Sequence, residues 1–109
     1  MSEPHAGTHE QAFEAFARQA HGALGESIRE LILFGSTVRG ETRGRDSDVD
    51  VFVILDSKDA EDELRDIAYD VSLEYGVVIS IHAQTKDRFE ERKDHPFIKN
   101  VLREGRSYG

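Results

Sequence analysis

Apolar residues recur at two different periods along the chain, and these periods predict helices that alternate with strands. Residues 8–24 repeat apolar positions at helical spacing, as do residues 59–75, after which Gly76 is a typical helix end. Short apolar runs rich in β-branched residues predict strands at residues 28–34, 49–55 and 77–83.

A further helix is predicted near the end of the chain. A charged helical segment at residues 86–93 leads to it, Pro96 begins it, and Gly105 ends it. Asp94 or His95 fits its N-cap. One side of this helix is predicted to be buried, and that side carries Phe97, Ile98, Val101 and Leu102.

The order of elements predicts the fold class. It is helix, strand, short helix, strand, helix, strand, helix, with the short helix placed after the first strand. This order indicates an α/β (α+β) domain, in which a small mixed β-sheet is flanked by helices.

Two carboxylates stand at the start of the second predicted strand, Asp48 directly before residues 49–55 and Asp50 within them. Asp48 and Asp50 are two residues apart, so they point to the same face, about 7 Å from each other. Carboxylates in an otherwise apolar strand are costly unless another charge compensates them. Mg²⁺, or Mn²⁺ in its place, fits that role because hard cations take oxygen ligands. Asp48 and Asp50 are therefore the candidate metal ligands and catalytic residues.

A Gly-Ser turn follows the first strand and supplies a candidate anion site. Gly35 lets the backbone approach a ligand closely, and Ser36 can begin a short helix whose free amides favour an anion. Arg39 lies in the basic loop that follows and suits phosphate geometry, although its alternative role is to balance nearby acids. A phosphate binder beside a carboxylate pair indicates phosphoryl or nucleotidyl transfer.

The combined pattern resembles a known signature, formed here by Gly35-Ser36, Arg39-Gly40 and Ser47-Asp48-Val49-Asp50. It is the signature of the polymerase-beta-like nucleotidyltransferase superfamily, and the short chain is similar to its minimal nucleotidyltransferase (MNT) domain proteins. The resemblance covers residues 10–109, and residues 1–9 are expected to be a flexible N-terminus.

The resemblance implies the nucleotidyltransferase fold and an activity. A nucleoside monophosphate would pass from a nucleoside triphosphate to a hydroxyl acceptor with Mg²⁺, and pyrophosphate would be released. Gly35, Ser36, Arg39 and Ser47 would bind the nucleotide and its phosphates. So short a chain points to an acceptor on another protein, or to a partner chain that supplies the missing surface. The resemblance also suggests an antitoxin that acts on a HEPN-type toxin partner.

One departure from the family pattern leaves two functions open. Active members place a third carboxylate on a later strand, but residues 77–83 contain no Asp or Glu. Ser80 or His82 stands at that third ligand position, and His82 could ligate a metal or act as a base. The alternative to an active enzyme is a catalytically impaired binding module that acts through a partner.

Composition narrows the class of protein further. The 109 residues have a net charge of −8 and contain no cysteine. The negative charge argues against broad nucleic-acid binding, and it indicates either a salt-adapted, halophilic protein or an ordinary acidic one. No apolar run is long enough to span a membrane and no signal peptide is evident, so a cytoplasmic location is expected.

Overall fold

The computed structural model describes residues 8–35 and 48–108. Four helices and one four-stranded mixed sheet lie within them. The helices are α1 (Thr8–Leu24), α2 (Glu61–Tyr75), α3 (Lys86–Arg92) and α4 (Pro96–Glu104). The strands are β1 (Ile28–Phe34), β2 (Asp48–Leu55), β3 (Val78–Thr85) and β4 (Arg106–Ser107).

The predicted fold class is confirmed, and most element bounds differ from the predicted ones by one or two residues. The bounds of α1 and β1 agree fully, and α1 already begins at Thr8. The predicted short helix after the Gly-Ser turn lies outside the described residues, and so do the first seven residues of the predicted flexible N-terminus, residues 1–9, whereas Thr8 and His9 belong to α1. None of the described helices is long and apolar enough to cross a membrane.

The sheet has the strand order β3-β2-β1-β4. β1 pairs antiparallel with both β2 and β4, whereas β2 and β3 run parallel. A parallel pair needs a crossover connection, and α2 provides it. The helix ends at Gly76, whose φ of 69° is in the left-handed region. This mixed topology brings the start of β2, the end of β1 and the start of β3 to one end of the sheet.

Both faces of the sheet are covered, as the apolar composition of β2 requires. Helices α1 and α2 pack on one face, against the odd-numbered positions of β1 and β2. On the other face, Ile98 and Val101 of α4 pack against side chains of β1 and β2. That second face is the one on which Asp48 and Asp50 lie, because even-numbered positions of β2 point to it.

The end of α4 is held closely against β1. A Cβ added at Gly105 would overlap Cγ2 of Ile32 and the carbonyl oxygen of Val101. His95 caps the other end, where its Nδ1 accepts a hydrogen bond from the amide of Phe97 at 3.1 Å. The helix is therefore fixed at both ends over the face that carries the two carboxylates.

The prediction that four residues of α4 are buried is half wrong. Ile98 and Val101 are buried, but Phe97 is 41% exposed and Leu102 is 47% exposed. The buried contacts of the helix are limited to Ile98 and Val101, one turn apart, so the neighbouring residues at the margins of its apolar stripe stay partly at the surface. The exposure of Phe97 matters because the residue stands beside the candidate site.

Candidate functional site

Asp48 and Asp50 are the first and third residues of β2. Asp48 is exposed and Asp50 is half-buried. Asp50 is paired across the sheet with Phe34, the last residue of β1. The two carboxylates therefore share one face and one end of the sheet, as their spacing in the sequence predicts.

Gly35 places the predicted phosphate turn directly against Asp50. Its φ is +84°, a left-handed conformation that residues with a side chain adopt at a cost. A Cβ at this position would lie 2.5 Å from Oδ2 of Asp50. Both the backbone conformation and the close approach thus require glycine, and the turn and the carboxylate are in contact.

Ser80 of β3 stands beside the carboxylate pair. The parallel register sets it opposite Asp50, and its hydroxyl donates a hydrogen bond of 3.1 Å to Oδ2 of Asp48. A third carboxylate at this position would face both aspartates. The structure instead supplies a neutral hydroxyl that is already bonded to one of them.

His82 lies two residues further along β3 on the same face. Its Nε2 is 3.7 Å from Oδ1 of Asp50, which is longer than a hydrogen bond. The side chains of His82 and Asp50 are 41% and 29% exposed, respectively, so a ligand can reach both. The imidazole therefore lies close to this carboxylate, on the same accessible face of the sheet.

Three rings in mutual contact form a cluster beside Asp50. This aromatic cluster consists of Phe34, His82 and Phe97. The ring centroids are 5.3 Å apart for Phe34 and His82, 5.6 Å for Phe34 and Phe97, and 5.8 Å for His82 and Phe97. These separations are typical of favourable aromatic pairs. The cluster forms an apolar wall next to the two carboxylates.

Sequence reasoning did not assign Phe34 and Phe97 to the site. Phe34 directly precedes the Gly35 turn, which is a local signal that could have pointed to it. Phe97 has no such signal, because its place depends on how α4 packs across the sheet. Ser36, Arg39 and Ser47, the other candidate phosphate-binding residues, lie outside the described residues.

The described side chains fit a magnesium ion that shares its coordination with a substrate. Within residues 8–35 and 48–108, no three His, Asp or Glu side chains form a group that could hold a metal ion. Mg²⁺ typically takes one or two carboxylates and completes its shell with water and substrate phosphates. The pair of Asp48 and Asp50, beside a glycine turn suited to phosphate, matches that demand. Their role as ligands stays a prediction.

Comparison with known proteins adds an independent line of information. The family model for the nucleotidyltransferase domain matches residues 14–108. A protein from Methanocaldococcus jannaschii, provisionally named a protein adenylyltransferase, is 32% identical over 97 residues. The match covers 89% of this chain and 94% of that relative. No solved structure matches the chain significantly.

Proposed function

The chain belongs to the nucleotidyltransferase domain family, and from this premise we propose that it transfers an adenylyl group from ATP to a hydroxyl group on a protein. The observation that carries the proposal is the contact between Gly35 and Asp50, next to Asp48. It joins a turn suited to phosphate and a carboxylate pair suited to a metal in one place. The choice of adenylyl and of a protein acceptor is supported by the name of the archaeal relative.

In this proposal each group at the site has a separate task. Asp48 and Asp50 hold Mg²⁺, and the open backbone at Gly35, with Ser36, Arg39 and Ser47, binds the triphosphate. When bound, the metal ion would polarise the α-phosphate and neutralise the leaving pyrophosphate. Ser80 orients Asp48 through the hydrogen bond from its hydroxyl.

The transfer itself requires a base for the acceptor. The acceptor oxygen attacks the α-phosphorus, the bond from that phosphorus to the bridging oxygen of the β-phosphate breaks, and pyrophosphate leaves. The hydroxyl proton must be taken up, and we assign this task to His82, which lies on the face of the two carboxylates with its Nε2 3.7 Å from Oδ1 of Asp50. This assigns His82 the function that a third carboxylate serves in active family members.

A second candidate function is a non-catalytic nucleotide-binding module. The observation that favours it is Ser80, since a hydroxyl stands at the register position opposite Asp50 where a third carboxylate would complete the site. Such a module would bind the nucleotide with Mg²⁺ and act through a partner. The HEPN-type toxin, the antitoxin role, the cytoplasmic location and salt adaptation also stay predictions.

One experiment separates the two functions. The protein, alone and with any partner that co-purifies, is incubated with ATP and Mg²⁺ and then examined by intact mass spectrometry and a pyrophosphate assay. An added adenylyl mass on a protein together with released pyrophosphate supports the transferase. Magnesium-dependent ATP binding with neither product supports the module, and absence of any ATP binding contradicts both.

A further inference from the structure

A cleft opens between the end of β1 and α4, next to the two carboxylates. It has a volume of about 200 Å³ and is lined by Phe34, Gly35, Phe97, Asn100, Val101 and Glu104. Gly35 is therefore shared between this cleft and the contact with Asp50. Anything bound in the cleft lies directly beside the turn to which the proposed function assigns the triphosphate.

The wall of the cleft is aromatic and accessible. Phe97 is held by edge contacts with Phe34 and Phe52 and by His82, yet 41% of its surface is exposed. A ring that is fixed by its neighbours and partly open to solvent is suited to stack against a flat ligand, because little side-chain freedom is lost on binding. The cleft thus offers an ordered stacking surface.

The polar residues of the cleft lie on the same side of α4 as Phe97. Asn100 and Glu104 follow Phe97 by three and seven residues, which sets them in line along one helical face. Arg103 donates a hydrogen bond to Oδ1 of Asn100, so the amide protons of Asn100 are the groups that the residue can still offer. The cleft therefore combines an aromatic surface with an amide donor and a carboxylate acceptor.

We propose that this cleft is the nucleobase subsite, in which Phe97 stacks on a purine and Asn100 donates to the edge of the base. The inference rests on the proposed function, because it assumes a triphosphate at the Gly35 turn. A purine suits the cleft better than a pyrimidine, since two fused rings give a larger stacking area on Phe97. The edge of a purine carries ring nitrogens that accept hydrogen bonds, which matches the free donors of Asn100.

The competing occupant is an aromatic side chain of the acceptor protein. A tyrosine ring would also stack on Phe97, but the nucleobase is favoured because it is covalently joined to the phosphates that Gly35 faces. The two occupants give different results. A base subsite affects binding of the free nucleotide, whereas an acceptor subsite does not.

The test compares ATP with inorganic tripolyphosphate, which has the phosphates but no base. Calorimetry in the presence of Mg²⁺ measures both affinities for the unaltered protein, Phe97→Leu and Phe97→Ala. Phe97→Leu keeps a large apolar side chain, so it is expected to fold even if Phe97→Ala does not. Leu102→Ala is the matched control, because Leu102 is an equally exposed apolar residue of α4 that does not line the cleft.

We expect Phe97→Leu to lower the affinity for ATP about tenfold, which is the lower part of the range for one stacked base. The affinity for tripolyphosphate should stay unchanged, and Leu102→Ala should alter neither. The unaltered protein should bind ATP more tightly than CTP, and Phe97→Leu should reduce that preference.

Two results would overturn the inference in different ways. If the unaltered protein binds ATP and tripolyphosphate but Phe97→Leu leaves the ATP affinity unchanged, the base lies elsewhere while the proposed function stands. If the unaltered protein binds neither ligand, the proposed function fails and the subsite fails with it.

Discussion

Gly35 and Asp50 constrain each other at the centre of the site. The left-handed backbone of Gly35 leaves the space into which Oδ2 of Asp50 projects. Any side chain at residue 35 would displace this carboxylate, so the position of the proposed metal ligand depends on a residue that provides no ligand. Geometry of this kind is held by backbone conformation more than by side-chain contacts.

Replacing Gly35 separates this effect from ordinary strain. Gly35→Ala should destabilise the protein by at least about 1 kcal/mol, because of its positive φ, and should also weaken ATP binding by moving Asp50. Gly76→Ala is the matched control, since Gly76 has a φ of +69° and no atom within 4 Å of an added Cβ. Urea unfolding and calorimetry measure both properties. Equal loss of ATP binding in the two variants would contradict the proposed constraint.

Ser80 allows a gain-of-function test of the missing carboxylate. Ser80→Asp should increase magnesium-dependent ATP affinity, because a third carboxylate would face Asp48 and Asp50 across the parallel register. It should also lower the stability of the free protein, since three like charges then lie together. Ser80→Asn is the control, because asparagine has the shape of aspartate but no charge. An aspartate that changes ATP affinity no more than asparagine does would show that residue 80 does not face the metal.

At the scale of elements, α4 forms one side of the candidate site on the face with the carboxylates. Ile98 and Val101 fix the helix on the sheet, and Phe97 then stands beside Phe34 and His82. The helix thereby adds an aromatic side to the end of the sheet that carries the carboxylates. Its position depends on the tight approach of Gly105 to β1.

Gly105 therefore provides a test of the placement of α4. Gly105→Ala should lower the free energy of unfolding by about 1–3 kcal/mol, as overpacking typically does. Gly22→Ala is the control in α1, where an added Cβ meets nothing within 4 Å, and it should stabilise the protein by up to about 1 kcal/mol. Urea denaturation of both variants measures the difference. A neutral Gly105→Ala would mean that α4 is not held against Ile32.

The elements also show which parts of the secondary structure can be predicted from local sequence patterns. The bounds of β1 follow from a short apolar run, and the end of α2 follows from Gly76, so both are local signals that the structure bears out. β4 was not predicted, because Arg106 and Ser107 are exposed polar residues that form a strand only by pairing with β1. Residues 58–60 were assigned in part to the second long helix, but they form a separate 3₁₀ turn before α2.

In the candidate site, too, some features follow from the local sequence and others depend on tertiary packing. The shared face of Asp48 and Asp50 follows from the period of a strand, which is local. The hydrogen bond from Ser80 to Asp48 depends on the register of β3, and a shift of one residue would turn Ser80 to the opposite face. The contact of Phe97 with His82 depends on tertiary packing between distant segments. Sequence analysis therefore predicts the carboxylates better than it predicts their surroundings.

For the whole molecule, charge is the dominant property. The net charge is −8, from 22 acidic and 14 basic residues. The described ion pairs are exposed, for example Arg29 with Asp56 and Arg65 with Glu61, so each contributes little to stability. Asp62, Glu63, Asp66, Asp70 and Glu74 form the exposed acidic side of α2. Mutual repulsion of these charges opposes folding at low ionic strength.

Salt should accordingly stabilise the protein. Between about 0.01 and 1 M salt the screening length falls from about 30 Å to about 3 Å, which removes most of the repulsion between exposed carboxylates. We expect the unfolding temperature to rise over this range in KCl, with sucrose at matched osmolality as the uncharged control. An unchanged unfolding temperature in KCl would indicate an ordinary acidic surface and contradict salt adaptation.

The measurement that tests the central claim most directly is calorimetric titration of ATP with and without Mg²⁺, for the unaltered protein, Asp48→Asn, Asp50→Asn and Asp56→Asn. Asp56 is the control, because it follows β2 on the same chain segment but pairs with Arg29 away from the site. We predict magnesium-dependent binding that falls more than about tenfold in Asp48→Asn and Asp50→Asn and is unchanged in Asp56→Asn. Equal binding by all four proteins would contradict the assignment of this carboxylate pair as the nucleotide site.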